Sequence, residues 1–98
     1  MMKIFQTKEP LKNINYDYYG DINRDDYKLV YEDTDDRFKG YGLEDLFCAF
    51  NKWEDKEGLP IAVSGMFSMS VGDVVELDGK FYICAPIGFN DITEIFKR

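Results

Sequence analysis

One stretch decides the fold of this chain: residues 74–85 read Val-Val-Glu-Leu-Asp-Gly-Lys-Phe-Tyr-Ile-Cys-Ala. Two runs rich in β-branched and aromatic residues, 74–77 and 80–85, flank the pair Asp78-Gly79. An Asp-Gly pair between such runs is a strong hairpin signal, because both turn residues tolerate a positive φ angle. The stretch therefore predicts a hairpin with a two-residue turn.

The register of this hairpin makes both of its faces mostly apolar. Val75 lies opposite Tyr82 on one face, and Val74 lies opposite Ile83 on the other. Polar side chains are confined to the positions beside the turn, so we expect a covered base and a tip in water. A two-stranded hairpin is marginal alone, so other strands and a helix must supply the cover.

The other strands are predicted from shorter patterns. Met2–Thr7 indicates a first strand, and residues 27–32 alternate with period two, with Tyr27, Leu29 and Tyr31 on one face. Residues 11–22 are irregular with at most one helical turn. Residues 61–69 are compatible with a short strand, residues 87–92 with a last strand, and residues 93–98 with a terminal turn.

Only one segment has a clear helical period. Its apolar residues recur at i, i+3, i+4, i+7 and i+10, at Leu43, Leu46, Phe47, Phe50 and Trp53. We expect the helix to begin at Leu43, to be stopped by Gly58 and Pro60, and to cover one hairpin face. The chain of 98 residues is thus predicted to be a single α+β domain of about five mostly antiparallel strands packed on one principal helix.

The apolar runs, the first residues and the cysteines of the chain indicate where in the cell it is expected. No apolar run approaches the roughly 20 residues of a membrane span. The first residues contain no apolar signal region, and two cysteines do not make a disulfide framework. We therefore expect a protein of a reducing cytosol.

Negative charge is concentrated in one quarter of the chain. The net charge is −7, and residues 13–36 hold eight carboxylates against only Arg24 and Lys28. Such a surface repels nucleic acid and attracts a basic partner, and tyrosines interleaved with the acids add interface area. The predicted partner-binding residues are Asp17, Asp21, Asp25, Asp26, Glu32, Asp33, Asp35, Asp36, Tyr18 and Tyr19. A solvated acidic face without a partner remains an open alternative.

Catalytic chemistry has little support. The chain has no histidine, so it cannot form a Ser-His or Cys-His nucleophile pair. Cys48 lies opposite the apolar stripe and is expected to be exposed. The positive charge of Lys52, one turn later, is compatible with a reactive Cys48 thiol, but an unreactive thiol is favoured. Cys84 is expected in the core.

Two further patterns resemble ligand sites incompletely. Asp33-Thr34-Asp35 with Glu44 matches part of a calcium loop, but Arg37 replaces an acidic ligand and Phe38 replaces the required glycine. The segment 40–42 could cradle phosphate but lacks the lysine of a P-loop, so helix capping is favoured. We expect no metal, no cofactor and no catalytic residue, and we interpret adjacent aspartates as solvated charges.

Several motifs resemble, in order and approximate spacing, the YodL-like domain of bacterial mobile elements and phages. They are Tyr27-Lys28-Leu29-Val30-Tyr31, Leu43-Glu44-Asp45-Leu46-Phe47-Cys48-Ala49-Phe50-Asn51, Ser68-Met69-Ser70-Val71-Gly72-Asp73-Val74-Val75, Tyr82 and Gly88-Phe89. The resemblance covers about residues 27–92 and implies a compact α+β domain in a bacterial cytoplasm. It brings no established catalytic residues, and the acidic segment before Tyr27 lies outside it.

This resemblance implies a phage or mobile-element context, in which small acidic proteins often block host defence. We therefore expect a non-enzymatic inhibitor, anti-CRISPR-like or anti-restriction, whose carboxylates mimic nucleic-acid phosphates in a Lys/Arg groove. The expected partner is a basic nucleic-acid-binding host protein, such as an RNA-guided nuclease or a restriction enzyme. The alternative is a general interaction module that docks through a strand edge without inhibiting anything. A carboxylate enzyme is the least favoured class.

Overall fold

A computed structural model describes residues 1–9, 14–15 and 19–97. Within them, one antiparallel sheet has the strand order β2-β1-β3-β4-β5. The strands are β1 (Met2–Thr7), β2 (Tyr27–Asp33), β3 (Val74–Leu77), β4 (Lys80–Cys84) and β5 (Phe89–Asp91). The principal helix is α1 (Leu43–Lys52), a short helix α2 spans Thr93–Phe96, and 3₁₀ turns span Tyr19–Asp21 and Arg24–Asp26. The predicted α+β architecture is confirmed.

The hairpin has the predicted register. Val74 pairs with Ile83, and Leu77 pairs with Lys80 beside the turn. Asp78 has a φ of 52° and Gly79 has a φ of 84°, the left-handed pair that a tight hairpin turn requires. The terminal turn also forms, as α2, whereas the last strand is shorter than predicted because Ile92 already caps that helix.

Both faces of the sheet are covered, as the apolar hairpin predicts. On one face Val75 and Ile4 pack in a cluster with Leu46 and Phe50 of α1. On the opposite face a second cluster contains Phe5, Val74, Phe81, Ile83 and Phe96. The helix α1 therefore covers the Val75 face, while α2 and the 3₁₀ turns pack on the other face.

Strand β2 departs from strict alternation. The register with β1 shifts between Ile4, which pairs with Tyr31, and Phe5, which pairs with Leu29. The unpaired Val30 is a β-bulge, which moves the residues after it to the other face. The prediction that Tyr27, Leu29 and Tyr31 share a face is therefore wrong: Tyr27 packs in the second cluster and Tyr31 against the first.

Helix α1 ends earlier than its apolar stripe suggests. Trp53 takes a left-handed conformation with a φ of 58°, five residues before Gly58. The chain then returns on itself, since Ile61 donates its N–H to the Trp53 carbonyl oxygen at 2.8 Å and Glu54 pairs with Pro60. The expected strand at 61–69 is absent from this described segment, which crosses the sheet end as irregular chain.

The antiparallel order gathers the connections at two ends of the sheet. At the end where β2 begins, here called the Tyr27 end, lie the connections before β2 and β3 and the turn between β4 and β5. At the opposite end, here called the Asp78 end, lie the β3–β4 turn and the loop that follows β2. None of the helices in the described residues has the length and apolar character that spanning a membrane requires.

Candidate protein-binding surface

The predicted acidic residues do not form one continuous cluster. Among the described residues, Asp21, Asp25 and Asp26 lie at the Tyr27 end, whereas Asp35 and Asp36 follow β2 at the Asp78 end. The seven residues of β2 separate the two groups by about 20 Å, at roughly 3.3 Å per residue. Asp17 and Tyr18 lie outside the described residues.

A short 3₁₀ turn presents the first group. Asn23 precedes this turn, and its side-chain oxygen accepts a hydrogen bond from the Asp25 N–H at 2.9 Å. The Asp26 carbonyl oxygen accepts a bond from the Lys8 N–H at 2.8 Å, which fixes the turn to the end of β1. Asp21 and Asp25 are exposed and Asp26 is half-buried.

The basic residue within this turn, Arg24, packs over aromatic rings of the core. The Arg24 guanidinium lies 5.4–5.7 Å from the ring centroids of Phe5, Phe81 and Phe96. At such distances the cation is attracted to the ring faces. No ion pair to Asp21 or Asp25 occurs within the described residues, so their charges stay available to solvent or to a partner.

The second group loses one predicted member. Asp33 is only 5 % exposed, and its carboxylate oxygens accept hydrogen bonds from the N–H groups of Arg37, at 3.2 Å, and Phe38, at 3.0 Å. Burial and these bonds make Asp33 a residue that shapes the loop. The prediction that Asp33 lies on a partner-binding surface is therefore wrong.

The neighbouring carboxylates of the second group stay exposed. Asp35 and Asp36 have no basic partner among the described residues, because Arg37 is engaged elsewhere. The Arg37 guanidinium binds the Asp55 carboxylate at 3.1 Å and the Pro60 carbonyl oxygen at 2.8 Å. The Leu59 N–H also donates to the Asp55 carboxylate, at 2.9 Å, and this bond, together with the one from Arg37, holds the pKa of Asp55 below its usual value.

Glu32 and Tyr19 take intermediate roles. Glu32 is exposed and lies 3.9 Å from the Lys3 ammonium, a long surface contact of little energetic weight. Tyr19 is half-buried against the second cluster, and its hydroxyl accepts a hydrogen bond from the Asn90 side-chain amide at 2.6 Å. Tyr19 therefore attaches its 3₁₀ turn to β5 and offers only part of its ring to a partner.

Sequence reasoning did not single out the exposed apolar residues of the Tyr27 end. Phe67 is 69 % exposed, Val71 is 47 % exposed and Ile87 is 92 % exposed. The sequence does carry a signal for one of them, because Ile87 stands between Pro86 and Gly88, a combination typical of a turn tip.

The structure also reveals a buried polar pair beneath Phe67. The Gln6 side chain accepts a hydrogen bond from the Phe67 N–H at 3.0 Å and donates to the Phe67 carbonyl oxygen at 2.9 Å. It also donates to Asp73 at 2.9 Å, and Asp73 accepts the Ser70 N–H at 2.9 Å. These contacts fix the irregular 61–73 segment to the end of β1.

The residues considered for chemistry take ordinary places in the fold. Cys48 is exposed, as expected, while burial raises the pKa of the core residue Cys84 to about 11. Within the described residues no three acidic, cysteine or histidine side chains lie together as metal ligands. Gly42 caps α1, and its N–H donates to the Asp45 carboxylate at 2.9 Å, which matches the capping role expected for the 40–42 segment.

Comparisons of the chain with protein-family models, with curated proteins and with solved structures found no match. The YodL-like resemblance therefore stays a prediction from motifs. What those motifs do in this chain is nevertheless visible in part: Asp73 of the Ser-x-Ser-Val-x-Asp motif is the buried acceptor that anchors the connection before β3.

Proposed function

We propose that this chain is a non-enzymatic protein of a phage or mobile element that inhibits a nucleic-acid-binding host defence protein. It acts in the bacterial cytoplasm as an anti-CRISPR-like or anti-restriction inhibitor. Its carboxylates occupy Lys/Arg positions that otherwise hold phosphates.

One observation carries this proposal: exposed carboxylates at both ends of β2 have no cation within the described chain. Asp21 and Asp25 stand at one end, and Asp35 and Asp36 stand at the other. The nearby arginines are used internally, Arg24 over aromatic rings and Arg37 on Asp55. Charge left unpaired in this way keeps its field for a partner, which raises the association rate with a basic groove.

The separation of the two groups suits an extended basic groove. About 20 Å along β2 corresponds to roughly six steps of a duplex, at about 3.4 Å per step. A groove built for a nucleic acid of that length could contact both groups at once. The spacing supports phosphate mimicry over a single point contact.

The strand-edge alternative has one supporting observation. β2 is an edge strand, and Leu29 on it is 48 % exposed. The bulge at Val30 weighs against it, because bulges twist an edge away from further pairing. A Leu29→Lys change separates the two functions: it abolishes edge docking but leaves carboxylate docking essentially intact.

The proposed function is tested by phage infection of bacteria that carry an RNA-guided nuclease or a restriction system. Expression of the chain is expected to raise plaquing efficiency by at least 100-fold in one of these strains. The variant Asp21→Asn/Asp25→Asn/Asp35→Asn/Asp36→Asn is expected to lose most of that protection.

A matched control removes the same number of charges elsewhere. Glu44, Glu54, Glu57 and Glu94 are exposed and lie outside β2 and its flanking turns, so their fourfold change to Gln gives an equal net charge. This control is expected to protect like the wild type. Absence of protection by the wild type in every strain contradicts inhibition, and equal loss in both fourfold variants contradicts a site-specific role for the β2 acids.

A further inference from the structure

Three exposed apolar residues lie on the connections at the Tyr27 end. Phe67 and Val71 come from the connection before β3, and Ile87 comes from the turn between β4 and β5. The Gly72 N–H donates to the Cys84 carbonyl oxygen at 2.8 Å, which places the turn that carries Val71 beside the turn that carries Ile87. Single exposed apolar residues are ordinary, but a group at one end of a sheet is typical of a contact surface.

The backbones that carry these side chains are held in place. Both backbone polar groups of Phe67 are bonded to Gln6. The turn that carries Val71 is closed by the Asp73 N–H on the Ser70 carbonyl oxygen at 3.1 Å, and the turn that carries Ile87 by the Ala85 N–H on the Gly88 carbonyl oxygen at 2.9 Å. Exposed side chains on a fixed backbone lose less conformational entropy when a partner binds.

Carboxylates border this apolar group. The Tyr27 hydroxyl donates to the Gly72 carbonyl oxygen at 2.7 Å, so the chain just after Asp25 is joined to the turn of Val71. The bond between Asn90 and Tyr19 holds the turn that ends at Asp21 against β5, three residues after Ile87. An apolar centre with a charged rim is the usual anatomy of a protein interface, and a negative rim selects a basic partner.

We propose that the Tyr27 end is the docking surface for a basic protein surface with an apolar centre. Phe67, Val71 and Ile87 contact that centre, and Asp21 and Asp25 face the lysines and arginines around it. This inference rests on the proposed function and deepens it, because it adds an apolar anchor beside one of the two acidic groups. Asp35 and Asp36, at the other end of β2, meet the more distant part of the basic groove.

The direct test uses a probe of the stated chemistry. A 15-residue helical peptide with a leucine stripe and lysines elsewhere is titrated into the ¹⁵N-labelled chain, and amide shifts are mapped. The amide signals of residues 19–26, 66–72 and 86–88 are expected to shift. The peptide with leucines and lysines, the Leu/Lys peptide, is expected to bind at least tenfold more tightly than a Lys/Ser peptide, in which Ser replaces Leu, or a peptide in which Glu replaces Lys. Shifts centred on residues 33–36 or 78–79, or equal binding of the Lys/Ser peptide, overturn the proposal.

Variants make the test specific. The change Phe67→Ser/Val71→Ser/Ile87→Ser keeps every charge and is expected to weaken binding of the Leu/Lys peptide at least tenfold. Leu59→Ser, at an exposed apolar residue of another loop, is expected to bind within twofold of the wild type. Amide shifts of the same residues on dilution without peptide would show that the surface contacts a second copy, which also overturns the proposal.

The phage assay separates this inference from the function beneath it. Loss of protection by the triple serine variant, together with its normal thermal unfolding, supports the docking surface. Full protection by that variant beside loss in the fourfold Asn variant leaves the function standing and contradicts the docking surface. If the wild type protects in no strain, the function fails, and the peptide titration alone decides the surface.

Discussion

Gln6 and Asp73, sixty-seven positions apart in the sequence, meet in the interior, where the Gln6 amide donates to the Asp73 carboxylate at 2.9 Å. Both residues are buried. Burial raises the pKa of Asp73 to about 6, against the opposing effect of the hydrogen bonds from Gln6 and from the Ser70 N–H. This pair joins the end of β1 to the connection that presents Phe67, so the proposed docking surface depends on it.

The Asp73 carboxyl makes stability depend on pH. Its pKa is about 6 in the folded chain and about 3.9 in an unfolded one, so the folded state holds its proton more tightly. Asp73 therefore destabilises the fold progressively as pH rises through 6. Between pH 5 and pH 7.5 the free energy of unfolding of the wild type should fall by about 1–2 kcal/mol relative to Asp73→Asn. Urea unfolding followed by Trp53 fluorescence measures this difference, and parallel pH profiles of the two proteins would contradict it.

Removal of Gln6 should be costly. Gln6→Ala leaves both Phe67 backbone groups and one Asp73 interaction without their partner. Buried groups that lose a partner cost about 1–3 kcal/mol each, less where water enters, so we expect a loss of about 2–4 kcal/mol in unfolding free energy. Gln6→Glu, which places a second carboxylate against Asp73, should be worse at pH 7.5 than at pH 5. Equal unfolding free energies for the wild type and Gln6→Ala would contradict the account of this pair.

The hairpin shows which features of the fold can be predicted from local sequence. Asp78-Gly79 and the runs beside it specify turn type, register and both apolar faces, because neighbours in sequence are also neighbours in space. The bulge at Val30 and the early end of α1 at Trp53 were not predictable in this way. They depend on pairing with β1 and on the return of the chain at Ile61, which are contacts between distant residues.

The candidate surface follows the same division. The sequence identifies the acidic segment, but Asp33 and Asp35 look alike in it. Only the fold shows that the Asp33 carboxylate accepts hydrogen bonds from the N–H groups of Arg37 and Phe38. The contribution of Phe67 depends on Gln6 at the other end of the chain, and no local pattern in the sequence indicates that contact.

The two thiols should differ sharply in reactivity. Cys48 is exposed, whereas Cys84 is buried and has a pKa raised to about 11. Because the thiolate is the reactive form, an aromatic disulfide reagent at pH 8 should titrate one thiol per native chain and two in denaturant. Cys48→Ser should reduce the native value to zero. A second fast thiol in the native protein would contradict the burial of Cys84.

The hairpin turn offers a test of backbone conformation. Gly79 has a φ of 84° and open space where a Cβ would lie, so Gly79→Ala should cost about 1–2 kcal/mol from backbone strain alone. Asp78→Asn should be neutral or slightly stabilising, because Asn-Gly is the preferred pair in this turn. Thermal unfolding of the two variants checks both expectations; an unchanged melting temperature for Gly79→Ala would contradict the left-handed turn.

The proposed function requires that the exposed carboxylates bind a basic nucleic-acid-binding protein. The most direct measurement is an affinity capture from a bacterial host lysate at low and high salt, with the wild type and the two fourfold charge variants as baits. We predict a nucleic-acid-binding protein that the wild type and the Gln control retain at low salt, that raised salt releases, and that the Asn variant does not capture. Charges at the surface are screened beyond about 8–10 Å at such ionic strengths. A partner retained at high salt and equally by the Asn variant would contradict the claim and leave the acidic residues as a solvated face.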